Sequence, residues 1–207
     1  MPYLAMPYAA TPRRRILATA ALLASGLAFA GCASPNPSPA PSSTSSPATS
    51  ILSEHGLDGL DARAVVDRLD AMAVADRPAD LMASVRPDVL ILTDDQDRET
   101  RLPMPEDQVY VSVAPYRDET HDCYFHSLTT CRGEMANEDV QVVLTSADGT
   151  VVLDETRTTY DNGFMGFWLP RDFSGELVVS QDGVSGSAKI STTSVEDPTC
   201  VTTMQLT

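Results

Sequence analysis

The hydrophobic and polar positions divide the chain into stretches of different period. A mostly apolar run at 16–30 follows three arginines, and the stretch 33–50 shows no period at all. Across 61–77, DARAVVDRLDAMAVADR, apolar residues recur at helical spacing: Val65, Leu69 and Met72 share one face, and Leu57 and Leu60 lead into it. Asp61 suits the N-cap of this helix and Pro78 its stop. A second short helix is predicted over 79–85 and a short strand over 88–93, with polar loops at 94–99 and 102–107 forming a boundary. From Val109 the period changes to two, which predicts strands at 109–114, 140–145, 151–158, 164–169, 176–180, 185–192 and 201–206. Asp148-Gly149 and Asp182-Gly183 sit between strand signals and suit tight hairpins, because glycine takes positive φ without strain. The fold class expected is mixed α/β content but mainly β. An N-terminal helical region, 51–108, precedes an antiparallel β-sandwich-like domain of Greek-key type, 109–207. Phe164 and Trp168 are assigned to its core.

The first stretch reads as an address. Arg13, Arg14 and Arg15 precede a mostly apolar run of fifteen residues, too short for a membrane span and suited to the h-region of a secretory signal. The run ends Leu27-Ala28-Phe29-Ala30-Gly31-Cys32, which resembles a bacterial lipobox, so 1–31 is expected to be a lipoprotein signal peptide and Cys32 the lipid anchor. A plain secretory signal with an incidental cysteine is the blander alternative, and the arginines also fit a twin-arginine signal. Residues 32–50 are rich in Pro, Ser, Ala and Thr, a composition that buries little and is expected to form a solvated tether. The chain is therefore expected outside the cytoplasm, anchored to the cell membrane, where disulfides are permitted.

Charge narrows the partners. The 207 residues carry 14 Lys and Arg against 29 Asp and Glu, a formal net charge of −15; cleavage before Cys32 removes three arginines and takes it to −18. A single lysine, Lys189, and this acidic balance argue against nucleic acid. The carboxylates mostly solvate the surface and do not select a particular cation. A 43% hydrophobic fraction suffices for an ordinary core.

The chemistry concentrates in THDCYFHSLTTC, 120–131. Two of the three histidines, His121 and His126, and two of the four cysteines, Cys123 and Cys131, fall there; Cys200 opens the last predicted strand, and His55 lies alone. Thiolate sulfur is soft and imidazole borderline, so this set suits Cu(I) first and Zn(II) second, and disfavours Ca(II) and Mg(II). Met135 and Met204 are nearby thioethers, read as packing residues before ligands. In an exported protein paired cysteines are usually structural, so a Cys123–Cys131 or Cys131–Cys200 disulfide is the competing reading. Three cysteines leave one thiol over, which metal binding, a bridge between chains or redox work would occupy. No C-x-x-C motif, Gly-rich phosphate loop or supported Ser–His–Asp set accompanies them, and an enzyme is not expected.

The stretch VYVSVAPYRDETHDCYFHSLTTCRGE, 109–134, resembles the signature of the CueP family of periplasmic copper-binding proteins. Its SVAPY run falls at 112–116, T-H-x-C at 120–123 and HSLTTC at 126–131, with FWLP at 167–170 and Thr199-Cys200 also similar. The resemblance implies that Cys123, Cys131 and Cys200 are copper-binding cysteines, with His121 and His126 as neighbours in the motif. It is associated with freely soluble envelope proteins, whereas this chain carries a lipobox and tether, which bears on any delivery route needing free diffusion. The function expected is an extracytoplasmic, lipid-anchored protein that sequesters or transfers copper in copper tolerance, with reduction of Cu(II) by its thiols as an accessory. The expected partners are the metal ion, the membrane and an envelope protein that gives or takes copper; pairing into a homodimer is an open option. The alternative is a disulfide-stabilised β-sandwich binding module at the envelope.

Overall fold

The computed structural model describes residues 47–207. The predicted signal peptide, Cys32 and the tether up to residue 46 lie outside the described residues. The predicted tether ends sooner than expected, because Pro47–Glu54 forms helix α1, anchored by the fully buried Ile51. Helix α2 spans Ala62–Asp70 and is capped as its sequence predicts, with the Asp61 carboxylate accepting from the Ala64 N–H at 2.8 Å. It buries Ala62, Val65, Val66, Leu69 and Asp70. The helix is shorter than the 61–77 expected. Beyond Ala71 the chain turns away, and Asp161 takes the Val74 N–H at 2.7 Å to start a 3-10 turn at Val74–Asp76.

The helix expected over 79–85 is instead strand β1, Leu81–Val85. Leu81, Ala83 and Val85 are buried while Met82 is exposed, so the short segment alternates. Ala and Met favour helices locally; pairing with β2, Val89–Asp94, overrides that preference. Strand β3, Glu99–Pro103, completes a three-stranded antiparallel sheet in the order β1-β2-β3. The region 51–108, expected to be helical, thus carries a sheet as well as its helices.

The strands expected beyond Val109 all form: β4 Gln108–Tyr116, β5 Asp139–Ser146, β6 Val151–Thr158, β7 Met165–Pro170, β8 Ser174–Gln181, β9 Val184–Ser191 and β10 Cys200–Gln205. They make two sheets, β10-β4-β7 and β6-β5-β8-β9. Alternate residues such as Val111, Val113, Phe167, Val142, Leu144 and Leu177 meet between them in a shared core. Asp182 and Gly183, at φ 54° and 85°, form the two-residue hairpin loop that joins β8 to β9. One pairing departs from the antiparallel expectation: β10 runs parallel to β4, with Cys200 opposite Ser112.

Strand β4 is buried on both faces. Its other side packs on α2 and the β1-β2-β3 sheet: Tyr110 joins Leu69, Leu90 and Leu128 in a second core, with Trp168 of β7 against it. Trp168 donates to Asp67 at 2.7 Å. The β10-β4-β7 sheet is thus a middle layer, and its α2-facing side leads to the cysteine-rich loop. No helix among the described residues is long and apolar enough to cross a membrane.

Candidate metal centre

Strand β1 is the template for the loop carrying the cysteines. His126 C=O accepts from the Val85 N–H at 2.8 Å, and the Leu128 N–H donates to Ala83 C=O at 2.9 Å, with Ser84 and Ser127 paired between them. Thr199 locks the same loop to the start of β10. Its hydroxyl donates to Val85 C=O at 2.6 Å and accepts from the His126 N–H at 3.0 Å. Tyr124 C=O accepts from both the Thr199 and Cys200 N–H groups, at 3.0 and 3.1 Å. These bonds carry Cys200 to a loop about seventy residues earlier in the chain.

The sulfurs converge. Cys123 Sγ lies 3.5 Å from Cys131 Sγ, and Cys200 Sγ lies 3.7 Å from His126 Nδ1. The Ser127 N–H points at Cys131 Sγ at 3.4 Å, and the Cys131 N–H donates back to Ser127 C=O, so one turn of chain wraps the sulfur. All three cysteines are free thiols. Two sets of ligand atoms lie within 4.8 Å of one another: His121, Cys123 and Cys131, and His126, Cys131 and Cys200. The sulfurs pack against Ala114 and Phe164 in a small apolar cluster.

Beneath the sulfurs lies a buried polar network. The Asp70 carboxylate, at the end of α2, accepts from Tyr110 Oη at 2.6 Å, Asn162 Nδ2 at 2.9 Å and Ser112 Oγ at 3.2 Å, and meets His126 Nε2 at 2.9 Å. Gly166 makes room for this, since a Cβ there would collide with the Tyr110 hydroxyl. Burial works against the His126 imidazolium, but the Asp70 charge and hydrogen bond outweigh it and hold His126 up to about 9. Burial likewise works against the Asp70 carboxylate, and His126 with the Tyr110 and Asn162 bonds keeps it below the usual carboxylate range. Cys131 is held well below the usual thiol range because the Cys123 and Cys200 thiols face its sulfur, with His126 adding to this against burial. Cys131 in turn pushes Cys123 up to about 12. Cys200 is raised by Cys123, Cys131 and burial. Of the three thiols, Cys131 gives up its proton most readily. Arg77 lies beside it, donating to Cys131 C=O at 2.8 Å, with its Nε and Nη2 buried and without a hydrogen-bond partner.

The sequence of this chain matches the family model described as periplasmic copper-binding protein CueP across residues 64–205. The chain belongs to the CueP family. A solved structure, the crystal structure of S.CueP, is 38% identical with a TM-score of 0.71, covering 77% of this chain and 96% of that one. No curated protein matches the chain. The CueP family is one of periplasmic copper binders, and the cysteine and histidine cluster found here has the donor set for such an ion.

All five residues singled out in the CueP-like motif, His121, Cys123, His126, Cys131 and Cys200, meet at this one place. Met135 and Met204 do not; both are buried in the sandwich core. His55 is elsewhere, 4.0 Å from Asp80. Three members of the centre escaped sequence reasoning: Asp70, Arg77 and Thr199. For Asp70 a signal existed. It follows Ala62 and Val66 at intervals of four, on the apolar face of α2, where an unpartnered carboxylate would be costly. Nothing local in the sequence marks Arg77, and Thr199 is marked only as the neighbour of Cys200 in the CueP-like pair.

Proposed function

We propose that this chain is an extracytoplasmic, lipid-anchored protein that holds Cu(I) at Cys123, Cys131, Cys200, His121 and His126, and passes it to or takes it from another envelope protein. The observation that carries this reading is the convergence of two free thiols and two imidazoles around a third sulfur, that of Cys131. Soft sulfur with imidazole suits Cu(I) above Zn(II), and the apolar walls of Ala114 and Phe164 keep out the water that would favour harder ions. Asp70 accepts the Nε2 proton of His126 in the metal-bound state, which leaves Nδ1, the atom facing Cys200, to the ion. The chain is a binder rather than an enzyme in this account.

Reduction is an accessory of the same thiols. Oxidation of the adjacent Cys123 thiol and Cys131 thiolate to a disulfide releases two electrons and the Cys123 proton, and two Cu(II) become two Cu(I). One disulfide forms per two electrons, so each molecule acts once until another reductant restores it.

Titration of the reduced protein with Cu(I) against a competing chelator tests the binding. Replacing all three cysteines by serine is expected to abolish high-affinity uptake; unchanged affinity rejects these ligands. Labelling with a fatty acid tests the anchor: the wild type takes up label and Cys32→Ser does not.

A further inference from the structure

We propose that the centre is two overlapping three-ligand sites that share Cys131, an outer one for capture and an inner one for storage, between which Cu(I) moves by exchange of ligands. This rests on the copper reading above and adds a path to it. The two sets differ in access to solvent. His121 is exposed and Cys123 is half-buried, whereas His126, Cys131 and Cys200 are all buried. A surface cleft of about 290 Å³ opens beside His121, lined also by Glu119, Thr120, Arg132, Gly133 and Glu134, while no part of the inner set lines it. The two imidazoles do not face each other directly. Both approach the fully buried Phe164 ring, His126 at 4.6 Å and His121 at 6.2 Å between centroids. An ion passing inward is therefore carried along the sulfurs, and Cys131 is the member common to both sets.

The hand-over is balanced. The bonds from copper to His121 and Cys123 break, those to Cys200 and His126 form, and the bond to Cys131 persists throughout. Cys200 gives up its thiol proton and Cys123 takes one up; the His126 Nδ1 proton leaves to solvent as copper takes its place, so the hand-over releases one proton and copper stays Cu(I). A ligand kept during exchange spares the ion a naked intermediate in an apolar pocket. Soft two- and three-coordinate ions exchange thiolates readily, which makes the shared sulfur a pivot.

The test separates rate from affinity. Cu(I) held by a coloured chelator is mixed rapidly with the reduced full chain, and the rate of transfer and the final partition are both read from the colour. His121→Ala is expected to slow capture about tenfold while weakening the final affinity by about threefold or less, since the inner set remains. Cys200→Ser is expected to do the reverse, weakening final affinity about tenfold or more with about a threefold effect or less on the initial rate. Serine keeps the size of the buried side chain, and thermal unfolding checks that the variant is folded. Proportional losses of rate and affinity in both variants would show one undivided five-donor site and overturn the proposal. A wild type that takes no Cu(I) from the chelator would overturn the copper reading itself.

Discussion

The sandwich supplies every sulfur and imidazole of the centre, on the 117–138 connection and at the head of β10, while the layer formed by 51–103 supplies none of them and yet decides where they stand. Strand β1 holds the loop by His126 and Leu128, and α2 delivers Asp70 to the back of the His126 ring. The two regions also differ in what stabilises them. The sandwich rests on an apolar core between its sheets, whereas the other layer joins the sandwich partly through a buried polar knot of Asp70, Tyr110, Ser112, Asn162 and His126. The ligands therefore lie in one layer while β1 and Asp70 of the other help to position them, so substitutions at the junction and inside the sandwich core should differ in their effect on copper affinity.

The largest effect is expected at the knot. Asp70→Ala removes one acceptor from four buried donors and should destabilise the metal-free protein by about 3–5 kcal/mol, together with a clear loss of Cu(I) affinity. Chemical unfolding and chelator competition read the two. The same pair sets a pH dependence. His126 is raised from 6.5 to about 9, so its contribution is complete below pH 6.5 and fades as pH rises through about 9. Asp70 is lowered from 3.8, so its contribution is complete above that value and is lost as pH falls through its depressed one. Melting temperature of the metal-free wild type should hold between these limits and fall beyond both, and Asp70→Asn should flatten the alkaline fall.

A smaller loss is expected in the sandwich. Leu177→Ala deletes a fully buried side chain between the sheets and should cost about 2–4 kcal/mol, with Cu(I) affinity of the folded protein almost unchanged. An equal loss of affinity would mean that the two layers are not separable. The smallest is expected at the clasp. Thr199→Val breaks the bonds to Val85 and His126 and should cost about 1–2 kcal/mol. Hydrogen exchange should then quicken at His126 and Cys200 before it does in β5 or β8.

The same division explains what was legible in the sequence. The strands of the outer sheet announce themselves by alternation and by the Asp-Gly turns, because one face is wetter than the other. The ligands also lie close together in sequence, apart from Cys200, whose contact with the loop depends on the parallel pairing of β10 with β4. Strand β1 was hidden because Ala and Met prefer helices in isolation and only pairing with β2 decides otherwise. Asp70 was only half legible: its place on the apolar face of α2 signals burial, but its four donors, drawn from β4, the loop and residue 162, meet only in the fold.

The central claim is that sulfur from Cys123, Cys131 and Cys200, with imidazole, grips Cu(I). X-ray absorption at the copper edge, on reduced protein loaded with one equivalent, tests it most directly. The account predicts an edge characteristic of Cu(I) and a sulfur shell at about 2.3 Å, as in other metal thiolates, with a contribution from imidazole nitrogen. A first shell of oxygen and nitrogen alone, unchanged when the three cysteines are replaced by serine, would contradict it.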